Sequence, residues 1–275
     1  MRVILADLRG SEGLVAKDTV AGGYGSRFVP FSRVTRVYCH FKRRRLDVPS
    51  IQMGYLASLF ARHGHEVVFT RGALPQGDLA LVLSSLVDYR HETAWADEAR
   101  LRGIRVGFVG LASSQLPELF SAHADFLIMG EPEQAASRLA LGESLSGLSP
   151  SPPVADLDCL PFPRWGLLQE KNGAWRARRP HRFPVLASRG CTEFCTYCPH
   201  RILSPYRSRS FGNVADELEQ LCREYSRPHV FFRDPLFAQD RDRCLALCEE
   251  VRSRGLLLKF DCETRLDALD PHLLR

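Results

Sequence analysis

A chain of 275 residues is long enough for one large or two ordinary domains, and its 45% hydrophobic and 25% charged residues are those of a soluble globular protein. No apolar run approaches the roughly 18 residues a membrane span needs, and "MRVILADLRGSEG" lacks the apolar core of a signal peptide, so a cytoplasmic location is expected. The net charge of +5 gathers in "FKRRR" (41–45), "RARRPHR" (176–182) and Arg201, Arg207 and Arg209, in separate loops without a nucleic-acid-binding motif, so a nucleic-acid partner is not expected.

Residues 1–142 alternate strand and helix. "VILAD" (3–7) reads as a short buried strand. The long connection 10–49 carries "AGGYGSRF", which lacks the spacing of a dinucleotide fingerprint. "SIQMGYLASLFARHG" (50–64) has Ser50 after Pro49, an apolar stripe of Met53, Leu56, Leu59 and Phe60, and a stop at Gly64, which predicts a helix. "HEVVFT", "DLALVLSSL", "RVGFVG" and "ADFLIMG" are four further apolar runs separated by helix-length segments. This βαβ alternation predicts a Rossmann-like parallel sheet covered on both faces, with ligands beyond the carboxyl ends of the strands. The informative positions there are Ala6–Asp7, Ser84–Ser85, Gly110–Ala112 and Gly130–Glu131.

Residues 143–183 turn rich in Ser, Pro and Arg and read as a linker. A second series follows: a strand at 184–188, a helix at 213–225 capped by Asn213, and a strand "HVFFRD" (229–234). A helix at 240–254, a strand "LLLKFDCE" (256–263) and a last helix from Asp270 complete it. The fold class is therefore α/β, with domains expected at 1–142 and 184–275.

Of the nine cysteines, Cys222, Cys244, Cys248 and Cys262 fall in helical or strand patterns and are expected as small buried hydrophobes; Cys39 and Cys159 are isolated in loop-like segments. Cys191, Cys195 and Cys198 stand apart, at C-x3-C-x2-C in "SRGCTEFCTYCPHR". A zinc site closed by protein alone takes four ligands, and His200 sits only two residues beyond Cys198. Iron–sulfur clusters also usually take four thiolates. Three ligands on one short loop leave a metal site open to a small molecule.

"CTEFCTYC" resembles the signature of radical S-adenosylmethionine enzymes, with Tyr197 as its aromatic residue. "LASRG" before it, and "YRSRSFGNVADELEQL" and "HVFFRDPLF" after it, are similar to that family's first barrel unit and second strand. The resemblance implies a [4Fe–4S] cluster on Cys191, Cys195 and Cys198, its fourth iron chelated by S-adenosylmethionine. It also implies cleavage to a 5′-deoxyadenosyl radical, with a small-molecule substrate and an external electron donor such as flavodoxin or ferredoxin. The family's partial barrel has six βα units; three strands follow the linker here, so the second domain reads as the first half of that barrel, apparently truncated.

"VPSIQMGYLASLFARHGHEVVF", "DLALVLSSL", "ADFLIMGEPE" and "DLDCLPFPRWGLL" resemble the cobalamin-binding domain and connector that precede the barrel in one large group. That likeness implies cobalamin held by Ser84, Ser85, Gly110, Ala112, Gly130 and Glu131, and methyl transfer to an unactivated carbon or a phosphinate phosphorus. A cobalamin-independent cyclisation or rearrangement, or a non-catalytic iron–sulfur module, is the alternative. The D-x-H-x-x-G marker is absent, so no histidine is expected below the cobalt, and "FVGLASS" stands where the group often has paired glycines. Tyr197, Asp234, Glu263 and Arg265 are the candidates for binding S-adenosylmethionine.

Overall fold

The computed structural model describes residues 1–10, 13–20, 22–45, 48–168, 182–196, 198 and 204–274. The chain divides into two compact units, Met1–Val154 with Pro161–Arg178, and Ala155–Leu160 with Arg179–Arg275.

The first unit is built on a six-stranded parallel sheet. Its strands are β1 (Arg2–Ala6), β4 (Glu66–Thr70), β5 (Leu79–Leu83), β6 (Arg105–Val109), β7 (Phe126–Gly130) and β8 (Gly147–Ser151), in the order β4-β1-β5-β6-β7-β8. Between β1 and β4 lie a hairpin, β2 (Leu14–Lys17) with β3 (Gly25–Phe28), and two helices, α1 (Arg33–Arg45) and α2 (Ile51–Arg62). Helices α3 (Tyr89–Leu101), α4 (Leu111–Gln115) and α5 (Pro132–Ala140) complete the wrapping. The chain leaves β1 toward β4 and then crosses to β5 on the other side of β1. That reversal makes the carboxyl ends of β1 and β5 the switch point, where doubly wound sheets open their ligand crevice.

Apolar residues from alternate layers fill the space beneath. Ile4, Val82, Trp95, Val106, Phe108, Phe120 and Leu127 form one buried cluster. Helix α2 begins as its sequence predicts, with the Ser50 side chain accepting a hydrogen bond from Met53 N. Every residue from Ile51 to Phe60 is buried, more than one amphipathic stripe allows. Its second face is covered by part of the segment read as a linker. Ser58 Oγ donates to Phe162 O (2.7 Å) and accepts from Arg164 N (2.8 Å), and Trp165 is fully buried. Gly147–Ser151, also within that segment, supplies the sixth strand. Its Pro150 is tolerated because β8 is an edge strand.

The connection 10–49 is also more ordered than its sequence suggests. Helix α1 carries the "FKRRR" segment and buries Cys39, where loops were expected. Its missed start signal is Ser32-x-x-Thr35: Ser32 Oγ accepts from Thr35 N and Thr35 Oγ1 from Ser32 N.

The second unit has a three-stranded parallel sheet ordered β13-β12-β9, from β9 (Arg182–Val185), β12 (His229–Phe232) and β13 (Lys259–Asp261). Helices α6 (Phe211–Glu224) and α7 (Arg241–Ser253) connect these strands in turn, the pattern of successive βα units of a partial barrel. Phe183 packs on Tyr225 with ring centroids 4.4 Å apart, and Val214, Leu218, Leu221 and Leu247 are buried. Several boundaries differ from expectation: β9 ends at Val185 and not at residue 188, and β13 is confined to Lys259–Asp261 within the expected 256–263. Ser210, not Asn213, caps α6, its side chain accepting from Asn213 N. Residues 271–274 form a turn instead of the start of a helix. Of the four cysteines expected to be buried, only Cys244 is; Cys222 is half-buried and Cys248 and Cys262 are exposed.

Candidate functional site

The cysteine loop leaves the second sheet at the carboxyl end of β9. Its base is closed by a short antiparallel ladder, β10 (Ser188–Arg189) with β11 (Arg207–Ser208), pairing Ser188 with Ser208 and Arg189 with Arg207. Gly190 opens the loop at φ +75°, and a Cβ there would come within 2.6 Å of the Ser204 and Pro205 carbonyls. Only glycine fits that crossing.

Cys191, Cys195 and Cys198 all lie on this loop, each partly exposed with its thiol free. The Glu193 N–H points at Cys191 Sγ (3.4 Å), and Cys198 N donates to Cys195 O (3.1 Å). Among the described residues no three histidine, cysteine, aspartate or glutamate side chains are gathered into a metal site. The chemistry of the donor set nevertheless suits a thiolate-held cluster: three soft sulfur ligands on one exposed loop. Tyr197 and His200 lie outside the described residues.

Buried charges hold the strand end that feeds this loop. The Asp234 carboxylate, 1% exposed, accepts from Ala187 N (3.1 Å) and Ser188 Oγ (2.6 Å). Burial pushes its carboxyl above the usual range, against those two hydrogen bonds and Arg243. Arg209, itself buried and ion-paired with Glu217, donates to Leu186 O (2.9 Å), and Arg243 reaches Ala187 O. Asp234 therefore faces the strand, with both oxygens engaged by the chain itself. The other two candidates are exposed ion-pair members. Glu263 meets Arg233 (2.8 Å), and Arg265 meets Asp267 and Glu193 (2.8 Å), the latter between the first two cysteines. Glu193 and Arg243 were not singled out from the sequence, and Arg209 was read only as part of a basic cluster; proximity in the fold brings all three to the loop.

The first unit's candidates stand differently. Ser84 and Ser85 are fully buried at the end of β5. Ser84 Oγ donates to Val109 O (2.8 Å) and accepts from Ser113 N (3.0 Å), while Ser85 Oγ donates to Glu92 (2.5 Å). Gly110 is buried at the start of α4, and Ala112 is 3% exposed. The β2–β3 hairpin covers this edge: Gly23 N donates to Ser84 O (2.9 Å) and Leu86 N to Gly23 O (2.7 Å). Gly130 is exposed at the end of β7, and Glu131 accepts from Val154 N (3.2 Å). A corrin does not fit at the ends of β1, β5 and β6 beneath this hairpin, because the hydroxyls and backbone groups it would use are buried and paired.

No protein-family profile matches the chain. It is similar to the anaerobic magnesium-protoporphyrin IX monomethyl ester cyclase of Cereibacter sphaeroides, 27% identical over 128 residues that cover 46% of this chain and 21% of the relative. It is also similar to the cytidylyl-2-hydroxyethylphosphonate methyltransferase of Streptomyces wedmorensis, 30% identical over 130 residues, 44% of this chain and 24% of the relative. An uncharacterized methyltransferase of Pyrococcus horikoshii is 24% identical over 123 residues, 44% of this chain and 26% of the relative. The chain spans about a quarter of the length of the curated relatives it matches. Those relatives are enzymes by name, and no helix among the described residues is long and apolar enough to cross a membrane.

Proposed function

We propose that this chain carries the cofactor-binding part of a radical S-adenosylmethionine enzyme acting on a small molecule. The observation that carries the reading is the three-cysteine loop, set on a clamped base at the carboxyl end of β9 in a parallel βα sheet. Ligand chemistry in such sheets gathers at that end of the strands. Cys191, Cys195 and Cys198 would hold the cluster and leave one iron open. When bound, a [4Fe–4S] cluster supplies the electron that splits S-adenosylmethionine into methionine and a 5′-deoxyadenosyl radical.

The chain's own residues orient this centre. Asp234, Arg209 and Arg243 fix the strand end from below, and the Arg265–Glu193 pair ties the loop to the end of β13. An external electron donor such as flavodoxin or ferredoxin is part of the reading. Two reaction outcomes are in keeping with the relatives' names, ring closure and methyl transfer. Methyl transfer through methylcobalamin requires a corrin site that the first sheet's switch point does not offer. Radical cyclisation or rearrangement is therefore the outcome the fold supports better.

Anaerobic incubation of the reconstituted chain with a reductant and S-adenosylmethionine tests the proposal. Formation of 5′-deoxyadenosine is expected. An intact cluster that binds S-adenosylmethionine without cleaving it would favour a non-catalytic iron–sulfur module.

A further inference from the structure

The edge of the first sheet where a ligand would enter is filled by the chain itself. Lys17, the last residue of β2, is 7% exposed and reaches the switch point from the hairpin. Its Nζ pairs with Glu92 at 2.7 Å, lies 3.8 Å from Asp7 and donates to Leu83 O at 3.4 Å. Those partners belong to α3, the end of β1 and the end of β5. One basic side chain from the hairpin thus joins the two strands whose divergence would open the crevice.

The electrostatics make this cover part of the fold. Asp7 and Glu92 are both buried at the switch point. Burial alone would raise Asp7, yet Arg9, Lys17 and Arg71 together hold its carboxyl below the usual range. Burial pushes Glu92 up, opposed chiefly by Lys17. Withdrawing the hairpin would strand Glu92 without its charge partner in a dry site. The seat is also sterically matched. Gly23 sits at φ +87°, and a Cβ there would come within 2.6 Å of the Leu111 Cβ. Farther along, Thr19 O accepts from Ile51 N (2.7 Å), and Asp88 accepts from Gly10 N (2.7 Å) with Arg27 3.8 Å away.

We propose that the β2–β3 hairpin is the resident occupant of the switch-point crevice, keyed there by Lys17, and that the first unit takes no cobalamin at that site. The small residues Ser84, Ser85 and Ala112 then serve to admit the hairpin. This inference concerns the first unit only and stands or falls apart from the cluster.

The test uses the full chain and hydroxocobalamin. After incubation and desalting, no corrin absorbance should co-elute with the wild-type protein, and excess hydroxocobalamin should leave its Tm unchanged. Hydrogen exchange should find the Leu86 amide protected, and in Lys17→Met roughly tenfold or more faster. Lys17→Arg, which keeps the cation, should preserve protection. If Lys17→Met does not fold, Gly23→Val, which cannot seat against Leu111, provides the same comparison. One corrin retained per wild-type chain overturns the proposal. So does wild-type exchange across residues 14–28 at the rate of an unprotected peptide.

Discussion

Replacing Asp234 by Ala tests the clamp beneath the cysteine loop. The carboxylate accepts from Ala187 N and Ser188 Oγ, both buried, so Ala leaves two donors unpaired in a dry site. Each such group costs about 1–3 kcal/mol. Removing the carboxylate also relieves its own burial cost, which is what raises its pKa. The net loss should be about 2–3 kcal/mol, or roughly 8–24 °C in the melting of a unit of about 100 residues. Asn, keeping one acceptor, should lose about half as much. Calorimetry of the chain before and after reconstitution measures this, with iron content determined on the same samples. Because Ser188 stands three residues before Cys191, iron retention should fall in the order wild type, Asn, Ala. An Ala variant that melts within about 2 °C of wild type would refute the reasoning, since the two bonds would then carry no weight.

Lys17→Met should destabilise the first unit by about 3–5 kcal/mol by stranding Glu92, and adding Glu92→Gln should restore part of the loss; equal single and double losses in denaturant titration would contradict the pairing. Thiol labelling of the native chain at pH 8 should modify Cys159, Cys248 and Cys262 quickly and spare buried Cys244, whose thiol burial pushes up to about 11; fast labelling of Cys244 would contradict its placement. Burial raises the folded-state pKa of Asp234, so its contribution to stability is greatest below roughly pH 4 and is lost as pH rises through the raised value. The stability of wild type relative to Asp234→Asn should therefore fall as pH rises across that window; a rise would show the sign to be wrong.

The sequence makes five of the six strands of the first sheet, helix α2 and the cysteine loop legible, because each carries local chemistry: buried apolar runs, a serine cap with an apolar stripe, and closely spaced thiols. What it conceals depends on distant partners. "GLSPS" has no strand pattern, yet it pairs with β7 as an edge strand, where its proline does no harm. Helix α1 leaves Val34, Val37, Tyr38 and Phe41 exposed and buries Cys39, so its periodicity does not resemble a core helix. Ser84 and Ser85 show the deeper difficulty. Small polar residues at strand ends give room equally to a ligand and to a returning hairpin, and only the fold reveals that Gly22–Gly23 is what approaches. Asp234 is legible as a residue beyond the second strand, but the direction of its carboxylate depends on Ala187 and Ser188 just after β9, some fifty residues earlier in the chain.

The central claim rests on three thiols acting as one ligand set. Anaerobic reconstitution with iron and sulfide, followed by iron and sulfide analysis and absorbance spectra, should give about four irons per wild-type chain. Replacing Cys191, Cys195 or Cys198 singly by Ala should each remove most of that iron, whereas Cys222, Cys244 or Cys248 to Ala should leave it in place. Iron that survives loss of any one of the first three, or a site that takes up zinc in place of iron and sulfide, would contradict the account.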